Sequence, residues 1–196
     1  MKKRISSIDR KTKETDIKLK LNIDGMGTYK IDTGIGFFDH MLELFTKHGM
    51  FNLSIKAKGD TKVDYHHTVE DVGLVFGDAL SNALDRRKGI KRYGHAVTPM
   101  DDALAAVSVD LSNRPFLVYN APEPAVSETG LSPSLAKEFF RALVNQAGMN
   151  LHINVPYGEN EHHVIESVFK AFGRALDEAS SFDERIAGVR SSKGIL

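Results

Sequence analysis

Two copies of one short motif carry the densest chemistry in this sequence. His66-His67-Thr68-Val69-Glu70 and His162-His163-Val164-Ile165-Glu166 both read His-His-x-x-Glu, each at the start of a long predicted helix. Successive helical residues turn by about 100°. The first His and the Glu therefore share a face, and the second His and the Glu, three apart, are neighbours too. The adjacent histidines point in different directions and do not readily chelate one ion. Two motifs thus suggest two metals, or sites shared between motifs or subunits. Imidazole and carboxylate without sulfur suit Mn, Fe, Zn, Co or Ni better than Ca or Mg. The plain alternative is two polar helix starts capped by histidine, and duplication at matching places argues against it. A third motif, Phe38-Asp39-His40-Met41, puts His40 at the start of another helix. Its counterpart in the second half, allowing a one-residue slip, is Glu138 in Lys137-Glu138-Phe139-Phe140. A lone helix-start His is more often a capping residue, so His40 and Glu138 gain weight only beside the paired motifs.

Other groups are weaker alone. His48 lies in a last helical turn, where the dipole favours a cation, within reach of a site near His40. His95 and His152 read as structural or surface residues. Gly34-x-Gly36 lacks the third glycine of a dinucleotide fingerprint and the Gly-Lys-Ser/Thr of a P-loop, so it reads as a turn. Arg86-Arg87-Lys88 with Lys91-Arg92 reads as a solvated face, from which one arginine could still hold a phosphate. Arg114 and the tail Arg190-Ser191-Ser192-Lys193-Gly194 offer further anion donors. Glu14 is, on residue type alone, a surface carboxylate.

Composition narrows the classes. The 196 residues include 26 Lys+Arg, 26 Asp+Glu, eight His and no Cys. Zero formal charge argues against bulk binding to nucleic acid or anionic membrane. The absence of Cys excludes disulfides, thiolate metal sites and a cysteine nucleophile. No apolar run approaches a membrane span of about 18 residues, and the N-terminal ten residues lack the apolar stretch of a signal peptide. These features lead to an expectation of a cytoplasmic protein.

The elements that must position these groups follow from periodicity. Ile17, Leu19, Leu21 and Ile23 alternate as a strand; Gly25-Met26-Gly27 reads as its turn, and Tyr29 and Ile31 as the start of a partner strand. A helix is predicted over 39–48, a strand over Phe51 to Ala57, and a long helix from about His67 to Arg87, ended by Gly89. The second half predicts strands around 107–111 and 116–119, a loop over 121–134 with Pro122, Pro124 and Pro133, a helix to Ala147, a strand at 151–155, and a last helix through Ala179. The tail 187–196 looks irregular. Each half thus reads strand, strand, helix, strand, helix. We expect one domain over 1–196, α+β, built from duplicated βαβ-type units over about 1–93 and 94–196, with helices packed on mixed sheets.

Taken together, Gly34-Ile35-Gly36-Phe37-Phe38-Asp39-His40-Met41-Leu42, the run from His66 to Gly73, Asp110-Leu111-Ser112-Asn113-Arg114-Pro115, and Gly158-Glu159-Asn160 leading into the second paired motif and Phe169 to Leu176 closely resemble the imidazoleglycerol-phosphate dehydratase family of histidine biosynthesis. The resemblance runs from about Arg4 to the Ser191-Ser192-Lys193-Gly194 tail and is to the monofunctional form. It implies a fold similar to the second domain of ribosomal protein S5 and two Mn2+ ions per active site. The implied metal ligands are His40, His66, His67, Glu70, His162, His163 and Glu166, with Glu138 at an eighth position that is often His in the family. Implied substrate contacts are Glu14, His48, Arg92, Arg114, Ser191, Ser192 and Lys193, with the ligands His40, His66, His67 and Glu70 also facing the substrate. It also implies a homo-oligomer of 24 subunits in cubic symmetry, with sites shared between subunits.

On this reading a phosphorylated imidazole loses water. Glu14 is the expected acid/base group at the side chain, with Glu70 and Glu166 the catalytic carboxylates coupled to the metals, and Arg92, Arg114 and Lys193 hold the phosphate. Two rivals are a dimetal phosphoester hydrolase, which needs a bridging carboxylate that adjacent-His motifs supply poorly, and a metal-binding assembly protein without turnover, for which separate anion donors have no use.

Overall fold

The computed structural model describes residues 3–123 and 127–195. Its first half runs β1 (Ile5–Lys11), β2 (Thr15–Asn22), β3 (Thr28–Asp32), α1 (Gly36–His48), β4 (Asn52–Gly59) and α2 (His66–Leu84). Its second half repeats the order with β5 (Tyr93–Met100), β6 (Ala103–Asp110), β7 (Phe116–Asn120), α3 (Pro133–Ala147), β8 (Asn150–Tyr157) and α4 (Glu161–Ser180). The sheets are ordered β1-β2-β4-β3 and β5-β6-β8-β7. In each, the last two strands are parallel and joined through a helix, and the other pairs are antiparallel. The fold is α+β with duplicated βαβ-type units, as the patterning implies.

The four helices lie between the sheets. Each pair covers the inner face of its own sheet, and across the halves α1 packs on α4 and α2 on α3. Glycines set how closely these helices approach. A Cβ on Gly173 of α4 would lie 2.5 Å from the Phe45 carbonyl oxygen of α1, and one on Gly77 of α2 would lie 2.6 Å from that of Leu143 on α3. The matched contacts make Phe45 the counterpart of Leu143, and hence His40 the counterpart of Glu138 with no slip. Phe38, Phe45, Phe76, Phe139, Phe140, Phe169 and Phe172 are fully buried and pack edge-on or stacked across the helix layer. This shared aromatic core makes the halves one packing unit.

Three readings need correction. Strands β1 and β5 open the halves and were absent from the predicted order. β5 places Gly94, Ala96 and Thr98 inward because α4 lies directly on it; an added Cβ at Gly94 would collide with the Ala175 carbonyl. Side chains that small leave no hydrophobic alternation. β1 buries Ser6, while its isoleucines are three apart. Second, Gly25-Met26-Gly27 is not a hairpin turn, since β4 lies between β2 and β3. The segment arches over the start of β4, where the Met26 and Thr28 N–H groups donate to Asn52 Oδ1 at 2.8 and 3.2 Å. Asn150, at the matching start of β8, supports the second arch with the opposite polarity, its Nδ2 donating to the Arg114 carbonyl. Third, α2 ends at Leu84, with Asp85 rather than Gly89 as its cap, and α3 begins at Pro133. Of the loop read over 121–134, residues 124–126, including Pro124, lie outside the described residues, as does Leu196 of the tail.

Candidate metal and active site

The first group forms where α1 meets α4. Asn160 caps α4, its Oδ1 accepting the His162 N–H at 2.9 Å and the His163 N–H at 3.4 Å, so both histidines occupy the first turn. One turn on, Glu166 is only 5% exposed. Its Oε2 lies 3.0 Å from His162 Nε2 and 3.6 Å from His40 Nε2, and the three side chains offer donor atoms all within 4.8 Å of one another. Phe37 packs edge-on against the His162 ring at 4.9 Å. Lys170, four residues after Glu166, places Nζ 2.5 Å from Oε1. Burial pushes the Glu166 pKa up, but hydrogen bonds from Lys170 and His162 and their charges outweigh it, and the net shift is downward. Glu166 is therefore a carboxylate at neutral pH. At the far end of α1, partial desolvation and then the Lys170 and Arg174 charges lower the pKa of His48.

The counterpart on α2 is more open. Asp64 Oδ1 accepts the His66 N–H at 2.8 Å and starts the helix. His66 Nε2 lies 3.4 Å from Glu70 Oε2, and both side chains are close to half exposed. His67 turns away from that pair, with Nδ1 at 3.0 and 3.3 Å from the two Asp60 oxygens. That hydrogen bond raises the His67 pKa, and the negative charge of Glu14 adds to the shift, so Glu14 and His67 share one neighbourhood. A cavity of about 440 Å³ lined by Asp64, Tyr65, Gly130 and Leu135 opens at His66. Another, of about 330 Å³, is lined by Arg4, Asn82, Arg86, Lys88 and Phe182 and contains none of the candidate site residues.

His163 repeats the geometry of His67. Its Nδ1 bonds to Asp102 Oδ1, and Nε2 lies 3.4 Å from the exposed Asp101. Glu138 stands opposite α2 as His40 stands opposite α4, but it pairs with Arg141 at 3.0 Å instead of joining His66 and Glu70. Within one chain, no hydrogen bond or ion pair joins the His66–Glu70 group to the His162–Glu166 group among the described residues.

Two of the predicted anion donors, Arg92 and Arg114, meet elsewhere, at Asp110. Arg92, 8% exposed with a left-handed backbone (φ 70°), grips Asp110 with Nε at 2.6 Å and Nη2 at 3.0 Å. Its Nη1 donates to the Arg190 carbonyl at 2.7 Å, which ties the C-terminal tail to this spot. Among the described residues, three of its five N–H groups are thus engaged and two remain. Arg114 Nη2 lies 3.7 Å from the same Asp110. Ser191 Oγ accepts the Lys193 N–H at 3.2 Å, and Ser192 and Lys193 are exposed.

Side chains missed from the sequence are Asp60, Asp102, Asp110 and Lys170. Lys170 was legible as an i,i+4 partner of Glu166. The aspartates act across the fold and left no local signal.

Comparison with known proteins gives the decisive observation: the family model described as imidazoleglycerol-phosphate dehydratase matches residues 33–176. The chain belongs to the imidazoleglycerol-phosphate dehydratase family. It is 59% identical over 194 residues to the imidazoleglycerol-phosphate dehydratase of Desulfosudis oleivorans, covering 99% of this chain and all of that protein. It is 54% identical over 193 residues to that of Geobacter sulfurreducens, covering 98% and 99%. Among solved structures, the Staphylococcus aureus enzyme superposes with a TM-score of 0.82 at 39% identity over 91% of this chain and 99% of that one. The Pyrococcus furiosus enzyme, in complex with (S)-C348, gives 0.83 at 37% identity over 96% and 100%. Membership makes this chain a hydro-lyase, a dehydratase of histidine biosynthesis acting on a small molecule. No helix among the described residues is long and apolar enough to cross a membrane.

Proposed function

We propose that this dehydratase removes water from imidazole glycerol phosphate to give imidazole acetol phosphate, and that it uses two Mn2+ ions per active site. The observation that carries the metal reading is the clustering of His40, His162 and Glu166, whose donor atoms converge around a carboxylate kept anionic although buried. Imidazole nitrogens and carboxylate oxygens, with no thiolate in the chain, are a donor set that suits manganese. His40, His66, His67, Glu70, His162, His163 and Glu166 would hold the two ions, the adjacent histidines of each motif serving different ions, with Glu138 able to turn from Arg141. Ions held there would supply Lewis acidity toward the imidazole ring. The open His66–Glu70 group, unjoined to its counterpart within one chain, favours sites completed between subunits of a large cubic homo-oligomer, for which we propose 24 chains. We propose the cytoplasm as its compartment.

The chain's own residues supply the rest. The leaving hydroxyl departs as water and needs a proton; the neighbouring carbon must lose one, and the enol so formed takes up a proton to become the ketone. Glu14, beside His67 at the β1–β2 turn, carries out proton transfer at the substrate side chain. Glu70 and Glu166 act with the metals. Arg92 with its two remaining N–H groups, Arg114, Ser191, Ser192 and Lys193 bind the phosphate, and His48 lies along the α1–α4 approach. Loss of water from imidazole glycerol phosphate is assayed on chelated protein with and without Mn2+, beside Glu14→Gln. Turnover indifferent to chelation overturns the metal role, and normal turnover in Glu14→Gln overturns its acid/base role. The hydrolase reading gains no support from this geometry: among the described residues, no carboxylate links the His66–Glu70 group to the His162–Glu166 group.

A further inference from the structure

Each His-His-x-x-Glu motif divides its histidines between two kinds of carboxylate. The first His faces the motif's own Glu through Nε2: His66 to Glu70 at 3.4 Å and His162 to Glu166 at 3.0 Å. The second faces an aspartate from outside the motif through Nδ1: His67 to Asp60 at 3.0 Å, and His163 to Asp102. These aspartates are not copies of each other. Asp60 follows β4, whereas Asp102 sits in the β5–β6 turn, which corresponds to the β1–β2 turn of the first half. The two halves have reached the same contact from different positions in the repeat.

We infer that Asp60 and Asp102 are positioning residues that fix the second histidine of each pair for metal binding through Nε2. The inference rests on the metal reading above. A carboxylate only accepts hydrogen bonds, so Nδ1 must carry the proton. In the neutral ring the lone pair is then left on Nε2, with the ring plane fixed by the aspartate. Asp102 is itself pinned: its Oδ2 accepts the N–H groups of Glu159 at 2.6 Å and Asn160 at 3.0 Å, immediately before α4. Nε2 of His163 lies 3.4 Å from the exposed Asp101, whose side chain can swing aside or join the ion. Outer carboxylates of this kind orient a ligating imidazole and raise its basicity, and their loss typically costs about 10–100-fold in metal affinity.

The test is Mn2+ binding by the purified full chain, stripped with chelator and titrated with Mn2+ alone, free ion being read by electron paramagnetic resonance. Asp60→Asn is the cleaner variant, because among the described residues the Asp60 side chain bonds only His67. Asp102→Asn keeps an oxygen for the Glu159 and Asn160 N–H groups while presenting an NH2 to His163. We expect each to weaken one class of Mn2+ sites roughly 10–100-fold, with the melting temperature of the metal-free protein unchanged for Asp60→Asn. Wild-type affinity in both variants overturns the inference and leaves the metal reading intact. Wild-type protein that binds no Mn2+ overturns both. A loss confined to Asp102→Asn and accompanied by a lower metal-free melting temperature assigns that residue to helix capping and overturns the inference as well.

Discussion

Replacing Glu166 by Gln removes the anion between Lys170, His162 and His40 while keeping its shape. Glu166 Oε1 lies 2.5 Å from Lys170 Nζ, and the side chains are 7% and 17% exposed. Removing one partner of a buried pair costs about 3–5 kcal/mol, because the other charge is left uncompensated. Lys170 keeps some exposure and a 3.4 Å contact with the Met100 sulfur, which places the expected loss near the lower end, about 3 kcal/mol. At roughly 2–4 °C per kcal/mol for a chain of this size, the metal-free protein should melt roughly 6–12 °C lower. The assay is denaturant unfolding in excess chelator at fixed protein concentration, so that neither metal nor assembly shifts the midpoint. Lys170→Met and the double variant complete the cycle. If the pair is coupled as the geometry states, the double variant is more stable than the sum of the single losses allows, by about 1–3 kcal/mol. A Glu166→Gln chain within about 0.5 kcal/mol of wild type, or strictly additive losses, would refute the reasoning.

Three further outcomes follow from the same geometry. Gly77→Ala sets a methyl 2.6 Å from the Leu143 carbonyl oxygen, also close to Gln146; forcing α2 from α3 should cost about 1–3 kcal/mol or more, seen as a lower melting temperature. The His48 ring should titrate below its ordinary value of about 6.5 by NMR, and Lys170→Met should raise the midpoint without restoring it fully, because burial is the larger cause. With the folded pKa depressed, the contribution of His48 to stability is present above about pH 6.5 and is lost as pH falls through the folded value. Arg92→Lys gives up the two-pronged grip on Asp110; losing charge-assisted bonds of about 1.5–3 kcal/mol should raise KM for the phosphorylated substrate roughly 10–100-fold, and steady-state kinetics showing an unchanged KM would remove Arg92 from the phosphate site.

Much of the fold was legible because alternation is strong where a strand faces a helix through large side chains, as in Ile17 to Ile23 and Leu151 to Val155. It failed at β5 and β1, where close packing demands Gly, Ala or Ser and erases the period. It failed again at Gly25 to Gly27, since nothing local distinguishes a hairpin turn from an arch over a third strand. At the site, the paired motifs and His40 could be read because both ligands of a helical pair lie within one turn. Asp60, Asp102 and Asp110 could not, because each meets its partner only after folding: Asp102 lies 61 residues from His163. Glu138 shows the opposite case. Its position follows from the repeat, while its side chain answers to Arg141, a neighbour three residues away.

On the reading proposed above, His40, His162 and Glu166 form part of a manganese site in a dehydratase. Crystals of the full chain grown with Mn2+, with diffraction recorded at the manganese absorption edge, test it most directly. An anomalous peak is expected bonded to His40, His162 and Glu166, and a second at His66 and Glu70. An anomalous map with no peak at either group, from protein that still removes water from its substrate, would contradict it.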